Sequence, residues 1–370
     1  MNNRSTKNVI ISGGGTGGHI FPAISIARAL VKNNPKTRIL FVGAEGRMEM
    51  EKVPAAGFEI KGLPVSGFQR KLTTENIKVL INLMKSLRKA GKILFDFQPD
   101  VVVGTGGYAS GPILYKAGKR KIPTLIQEQN SYPGITNKLL AKRASKICVA
   151  YEGMNKYFPE KKILFTGNPV RDDLETNSGK KQQGLDYFRL KSDKKTLLVL
   201  GGSLGARTIN KTLINSIQEL KDSGIQVIWQ SGKLYYDSGR EIWEKYTPEN
   251  IVLLDFISRM DLVYAVADLV ISRAGAGTIS ELCLAGKPSV LVPSPNVAEN
   301  HQTRNAMALV CKDAAVLIDD DKAGEKLIPE ALELINNEMA LRNFSKNIRK
   351  LAVPDSANLI ASEVIKLCNN

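Results

Sequence analysis

Residues 9–22 read VIISGGGTGGHIFP. The apolar run Val9-Ile10-Ile11 has the composition of a buried parallel strand, and it stops in a glycine cluster, Gly13-Gly14-Gly15-Thr16-Gly17-Gly18. Beyond the cluster Ile24, Ala27 and Leu30 fall on one face of a helix, and Pro22 suits that helix's first turn, where its missing N–H costs nothing. Strand, glycine loop and helix N-terminus in succession make an anion site, because unpaired backbone N–H groups point outward and the helix dipole favours negative charge. Glycine lets the backbone approach a ligand closely and take positive φ. His19, one of only two histidines, stands at the loop's exit, within reach of whatever the loop holds. Gly13-x-Gly15-x-x-Gly18 also matches the dinucleotide fingerprint, and Glu45, just past the next expected strand, is placed for a ribose diol. The stretch alone leaves open a nicotinamide-dependent oxidoreductase with a Rossmann domain, another phosphate-bearing ligand, or a tight turn with no ligand.

The chain has 370 residues, enough for two domains with cores of their own. It is 43% hydrophobic and 24% charged, an ordinary soluble balance. Its net charge of +16 points to an anionic partner: nucleic acid, acidic lipid or a phosphorylated substrate. No recognised nucleic-acid module is present and aromatics are only 6%, so nucleic acid is not expected. Cys148, Cys283, Cys311 and Cys368 are scattered with no C-x-x-C pair, which argues against a zinc site or disulfide framework and suits a reducing compartment. The start, MNNRSTKN, runs straight into the first strand, so no signal peptide is expected. No uninterrupted apolar run reaches about 18 residues, so no spanning helix is expected.

Strand-like apolar runs alternate with helical patterns throughout, the signature of an α/β fold with parallel sheets. In the first half the expected strands are 9–12, 38–43, 101–104, 124–127, 146–150 and 163–167. The turn-rich Gly167-Asn168-Pro169-Val170-Arg171 and the polar stretch 175–184 mark a linker. The second half restarts the grammar with a strand at 195–200, the loop Gly201-Gly202-Ser203-Leu204-Gly205-Ala206-Arg207, and a helix from about 208 to 223. Further strands are expected at 226–230, 251–255, 269–272, 289–292 and 315–318, and the tail from about 340 is helical with a break at Pro354. Two halves, each opening strand–glycine loop–helix, read as two Rossmann-like doubly wound domains facing a cleft. A second glycine loop of the first half, Gly104-Thr105-Gly106-Gly107-Tyr108-Ala109-Ser110-Gly111-Pro112, lies at the same sheet edge as the first. In the second half, SRAGAGTISEL (272–282) follows a strand and must open a helix. Its small residues let a diphosphate sit on backbone amides, Thr278 or Ser280 adds a hydroxyl, and Glu281, one turn in, is placed to accept from a ribose diol. The same Glu281 also fits a first-turn acid that complements the helix dipole. Asp319-Asp320-Asp321 follows a strand and reads as a helix start rather than a metal motif.

GGGTGGHIFP, GTGGYASGP, EQNSYPGITNKLLA, TGNPVR, GGSLGAR, SRAGAGTISE and ENHQTRNA occur in the order, and near the spacing, of the MurG family, which this sequence resembles from about Val9 to Ala306 and through its C-terminal helices. That family comprises bacterial UDP-N-acetylglucosamine transferases of peptidoglycan synthesis. The resemblance implies a GT-B fold, with an acceptor- and membrane-facing domain over 1–167, a UDP-sugar-binding domain over 168–349, and a C-terminal helix, about 350–370, packing back on the first. It implies inverting transfer of N-acetylglucosamine from UDP to the 4-hydroxyl of the muramyl residue of lipid I, forming lipid II at the cytoplasmic face of the plasma membrane. UDP-N-acetylglucosamine and lipid I are then the substrate partners, with no cofactor and no required metal.

Carried over residue by residue, the resemblance implies that Glu281 holds the ribose while Ala276, Gly277 and Thr278 line ribose and diphosphate. Gly277 stands where many members carry a bulkier residue. Ile257 meets the uracil through its backbone, Ser203 and Arg171 address the phosphates, and Gln302 the sugar hydroxyls. Thr16, Gly17, Gly18 and Asn130 reach the sugar from the first domain. Gly15, Gly104, Gly106, Gly107 and Tyr108 line the acceptor side with His19 and Glu128. Inverting transfer needs a base for the acceptor proton and a positive field for departing UDP. His19 and Glu128 compete for the role of base. Basic residues concentrate between Lys61 and Lys92 with apolar ones interleaved, and Phe68, Arg70, Lys71, Leu72, Lys85, Arg88 and Lys89 are the expected contacts with an anionic membrane surface. A core-facing helix with a solvated basic face fits that pattern as well.

Overall fold

The computed structural model describes residues 6–65, 75–170, 174, 179–202, 204–297 and 300–369. The chain divides into two compact units, Met1–Val170 with Asp355–Asn370, and Arg171–Pro354.

Among the described residues of the first unit seven strands alternate with helices. The strands are β1 (Asn8–Gly13), β2 (Arg38–Ala44), β3 (Glu59–Leu63), β4 (Val101–Gly106), β5 (Thr124–Glu128), β6 (Lys146–Val149) and β7 (Ile163–Phe165). The helices are α1 (Gly17–Asn33), α2 (Glu49–Ala55), α3 (Glu75–Phe97), α4 (Ser110–Lys119) and α5 (Ile135–Leu140). The sheet is parallel, in the order β3-β2-β1-β4-β5-β6-β7. Strands covered on both faces read as continuous apolar runs. Along β1 the faces alternate: Val9 and Ile11 enter one core with α1, while Ile10 enters the other with Leu94, Ile113 and Leu114. The order reverses between β1 and β4, so the loops leaving these two strands border a switch-point crevice. Their register shifts between Ser12 and Gly13, where Ser12 faces Gly104 but Gly13 faces Gly106. That irregularity turns the end of β4 into the second glycine loop.

The second unit repeats the plan. Its strands are β8 (Thr196–Leu200), β9 (Gln226–Gln230), β10 (Ile251–Leu254), β11 (Leu269–Ser272), β12 (Ser289–Leu291) and β13 (Val316–Leu317). Its helices are α6 (Lys181–Phe188), α7 (Arg207–Asn215), α8 (Ile217–Asp222), α9 (Tyr236–Tyr246), α10 (Met260–Val266), α11 (Ala276–Ala285), α12 (His301–Val310), α13 (Ala323–Asn336) and α14 (Glu338–Arg349). The parallel order β10-β9-β8-β11-β12-β13 reverses between β8 and β11. The last helix, α15 (Ser356–Asn369), belongs to the first unit, where Ala357, Ile360, Ala361 and Val364 share a core with Ile20, Ala23 and Ala27 of α1.

Several local expectations are corrected. The helix expected from about 208 to 223 is two helices, broken at Ser216, whose φ and ψ of −102° and 16° leave the helical region. β3 was not expected: EIKGL carries two charges in five residues and pairs on one side only, at the sheet's edge. Because α1 begins at Gly17, Pro22 sits inside the helix rather than in its first turn. Glu45 does not stand ready for a ribose; it accepts an ion pair from Lys89 at 2.7 Å.

Candidate active site

At the first switch point the glycine loop is held by a carboxylate that the sequence did not disclose. Glu49, the first residue of α2, is fully buried. Its Oε2 accepts from the Gly15 N–H at 3.0 Å and its Oε1 from the Ala44 N–H at 2.9 Å. A side chain at Gly14 would meet this carboxylate, since a Cβ there would lie 2.0 Å from Oε1. Gly15 takes φ of +85°, and Thr16, in extended conformation, precedes the first turn of α1. His19 Nδ1 lies 3.0 Å from the Gly14 carbonyl and 3.3 Å from Thr16 Oγ1. The β4 loop closes on the same group: Thr105 Oγ1 donates to the His19 carbonyl at 2.8 Å, and a Cβ on Gly106 would lie 2.9 Å from His19 Nε2. Gly107, at φ of +83°, passes so near the first loop that a Cβ would meet the Gly14 carbonyl oxygen at 2.3 Å. The structure thus brings Gly15, Thr16, His19, Gly106 and Gly107 together, with Tyr108 largely exposed beside them.

Glu128 ends β5 nearly inaccessible, at 1% exposure. Oε1 accepts from the Asn130 N–H (3.1 Å) and Nδ2 (3.3 Å), and Oε2 from the Gly134 N–H (3.1 Å) and Asn137 Nδ2 (2.8 Å). Burial pushes the Glu128 carboxyl above its ordinary range, against the pull of these donors. Four donors on two oxygens leave it little to offer a substrate, and it staples the loop that carries Asn130. Beneath it Gln127, Gln129 and Asn168 form a buried amide cluster, with Gln127 Nε2 donating to Asn168 Oδ1 and Asn168 Nδ2 to the Gln129 carbonyl, each at 3.0 Å.

At the second switch point the loop after β8 packs on the end of β9. Gly202 and Gly205 take φ of +76° and +97°, and a Cβ on Gly201 would lie 2.7 Å from the Gln230 carbonyl. Gly275 caps α11 in extended conformation, so Ala276, Gly277 and Thr278 form the first turn of the helix, at the positive end of its dipole. Space is open around Gly277. Ser280 Oγ donates back to the Ala276 carbonyl at 3.0 Å. Glu281 accepts from the hydroxyl of fully buried Tyr264 at 3.1 Å, a contact between α10 and α11 that sequence spacing could not show. Ile257 is buried, and Gln302 Oε1 accepts from the Ser294 N–H at 2.8 Å. Asp320 serves the scaffold: Arg273 donates to one of its oxygens and Thr208 Oγ1 to the other. Among the described residues no group of three or more His, Cys, Asp or Glu is placed to hold a metal ion. Arg171, Ser203, Phe68, Arg70, Lys71 and Leu72 lie outside the described residues.

On α3 the buried side is Val79, Ser86, Ala90, Ile93 and Leu94. Leu80, Ile81 and Met84 are exposed at 56%, 49% and 52%, next to exposed Lys78, Lys85, Arg88, Lys89 and Lys92. Lys89 is committed in part to Glu45. No helix among the described residues is long and apolar enough to cross a membrane.

Residues 9–149 match the glycosyltransferase family 28 N-terminal domain and residues 196–360 the C-terminal domain of the same family. A Parabacteroides distasonis protein is 58% identical, with 97% of this chain and 98% of that one covered. It is named UDP-N-acetylglucosamine–N-acetylmuramyl-(pentapeptide) pyrophosphoryl-undecaprenol N-acetylglucosamine transferase, as is a Porphyromonas gingivalis relative at 53% identity over 99% of this chain and 98% of the relative. Among solved structures, Acinetobacter baumannii MurG is similar at a TM-score of 0.79 and 27% identity, covering 97% of this chain and 99% of that one. A Neisseria meningitidis UDP-GlcNAc 2-epimerase shares the fold at a TM-score of 0.67 and 15% identity, over 98% of this chain and 100% of that one.

Proposed function

The chain belongs to glycosyltransferase family 28, and from that membership we propose that its second unit binds the UDP-sugar while the glycine loops of its first unit bind the acceptor and carry the base. The protein is a UDP-N-acetylglucosamine-dependent N-acetylglucosaminyltransferase: it transfers N-acetylglucosamine to lipid I, forming lipid II. The oxidoreductase reading has no support from the relatives, and the acid it required is paired with Lys89.

One observation carries the division of labour: each unit places two glycine-bearing loops at its switch point, and in the first His19 stands between them, its Nδ1 3.0 Å from the Gly14 carbonyl and its ring against Gly106. In this reading the α11 amides and Thr278 cradle the diphosphate, Glu281 accepts from the ribose, the Ile257 backbone meets the uracil, and Gln302 addresses the sugar. Arg171 and Ser203 complete the phosphate contacts. Thr16, Gly17, Gly18 and Asn130 address the sugar, and Gly15, Gly104, Gly106, Gly107 and Tyr108 border the acceptor. His19 takes the proton from the muramyl 4-hydroxyl as that oxygen attacks the anomeric carbon and UDP departs from the opposite side, inverting the configuration. Glu128 positions the Asn130 loop instead of reacting. Helix N-termini and Arg171 meet the leaving diphosphate, so no metal is required.

The first unit rests on the cytoplasmic face of the plasma membrane through α3 and the residues before it. Exposed Leu80, Ile81 and Met84 enter the interface, and each neighbouring lysine or arginine adds about 1 kcal/mol of attraction to anionic lipid. Hydrogen exchange on the full chain tests the division of labour. UDP should slow the amides of 201–205 and 275–278 and leave those of 13–18 and 104–107 unchanged. Protection of 13–18 by UDP, with 275–278 unaffected, would reverse the assignment.

A further inference from the structure

A single peptide unit, Gly14–Gly15, is gripped at both ends. Its N–H donates to Glu49 Oε2 at 3.0 Å, and its carbonyl faces His19 Nδ1 at 3.0 Å. A carbonyl oxygen only accepts, so a hydrogen bond here requires the proton on Nδ1, which in the neutral ring puts the lone pair on Nε2. Thr16 Oγ1, at 3.3 Å, is a second neighbour of the same Nδ1. On the far side Glu49 is sealed from solvent, and its other oxygen is filled by the Ala44 N–H at 2.9 Å. Each of its oxygens thus accepts from a backbone N–H group, the pairing a carboxylate side chain makes with main-chain donors. The fold makes room for it, since a Cβ on Gly43 would lie 2.6 Å from Glu49 Cγ, and Gly14 is equally closed to a side chain.

We propose that Glu49 is the orienting carboxylate of His19 and acts through the intervening peptide. The negative charge polarises the Gly15 N–H, the amide conveys that polarisation to the Gly14 carbonyl, and the strengthened acceptor holds the imidazole in its Nδ1–H form. The arrangement does for His19 what a directly bonded aspartate does for the histidine of a serine hydrolase, where the acid fixes tautomer and ring orientation without being protonated. Here the carboxylate is one peptide removed, and it fixes the glycine loop in the same act. Glu49 is therefore a positioning residue, and this role rests on the reading of His19 as the base.

The test uses full-length protein with 15N-labelled imidazole rings, the His301 signals being identified by their persistence in His19→Gln. At neutral pH the wild-type His19 ring should show a protonated Nδ1 and a pyridine-like Nε2. A wild-type ring with its proton on Nε2 overturns the proposal whatever any variant does. In Glu49→Gln the Nδ1–H population should fall and kcat should drop about 10- to 100-fold, with the KM for UDP-N-acetylglucosamine within about twofold of wild type. A drop in kcat with the ring spectrum unchanged makes Glu49 a purely structural residue and overturns the proposal, as does a variant unchanged in both. Transfer that survives in His19→Ala removes the base reading, while the ring spectrum still reports on the link from Glu49 to His19.

Discussion

Replacing Glu128 by glutamine separates a staple from a base. Each Glu128 oxygen accepts two N–H groups, one from the backbone and one from an asparagine side chain. Whichever oxygen becomes an NH2 group, two contacts turn into donor facing donor. Hydrogen bonds to charged groups contribute about 1.5–3 kcal/mol each, so the gross loss is about 3–6 kcal/mol. Removing a buried charge returns part of that. Asn137 Oδ1, a buried acceptor with no partner among the described residues, can rescue one contact by an amide flip. A net loss of about 2–4 kcal/mol remains. For a unit of this size each kcal/mol moves Tm by about 2–4 °C, so the variant should melt roughly 4–16 °C lower. Transfer, assayed well below that Tm, should fall only about 10- to 100-fold, because the Asn130 loop loosens while His19 is untouched. A variant with unchanged Tm whose transfer falls by 10³ or more would refute this reasoning and make Glu128 the reacting base.

Gly107→Ala forces a Cβ onto the Gly14 carbonyl oxygen at a φ of +83°. It should lower kcat at least about 10-fold and leave calorimetric UDP binding unchanged, since the two glycine loops can no longer nest. Glu281→Ala should cost about 2–4 kcal/mol in kcat/KM through the lost ribose bonds; because Tyr264 also loses its contact, Tm should fall too, whereas Tyr264→Phe should lower Tm with little change in UDP affinity. Lys287 is drawn down from 10.5 to about 8, chiefly by burial. Between those values the unfolded chain binds more protons than the folded one, so stability should rise as pH climbs from about 8 to 10.5. Lys287→Met should flatten that rise in denaturant titrations and raise Tm at neutral pH by no more than the equivalent of about 3 kcal/mol, since each pKa unit corresponds to about 1.4 kcal/mol.

The strands beside each switch point were legible because a parallel strand buried on both faces must be an apolar run, as at 9–11, 101–103 and 197–200, and because a glycine cluster must follow where backbone meets ligand. β3 escaped because an edge strand pairs on one side and tolerates Glu59 and Lys61. Glu49 escaped for another reason. Its partner, the Gly15 amide, is 34 residues away, and in the sequence it is one acid in a charged stretch, GRMEMEK. Glu281 was legible as a carboxylate at a helix start, but its contact with Tyr264 depends on α10 lying beside α11. The split between α7 and α8 is set at Ser216, where the apolar spacing continues and only the backbone shows the break.

The central claim is that this chain moves N-acetylglucosamine to lipid I with His19 as base and no metal. The direct measurement supplies purified protein with UDP-N-acetylglucosamine labelled in the sugar and lipid I in anionic vesicles, with EDTA present throughout, and follows label into the lipid phase. The account predicts a β-linked disaccharide on the polyprenyl diphosphate, formed by the wild type in EDTA and reduced at least about 10²-fold in His19→Ala while that variant still binds UDP. Label that stays in the aqueous phase until magnesium or manganese is restored, or a His19→Ala variant as fast as the wild type, would contradict it.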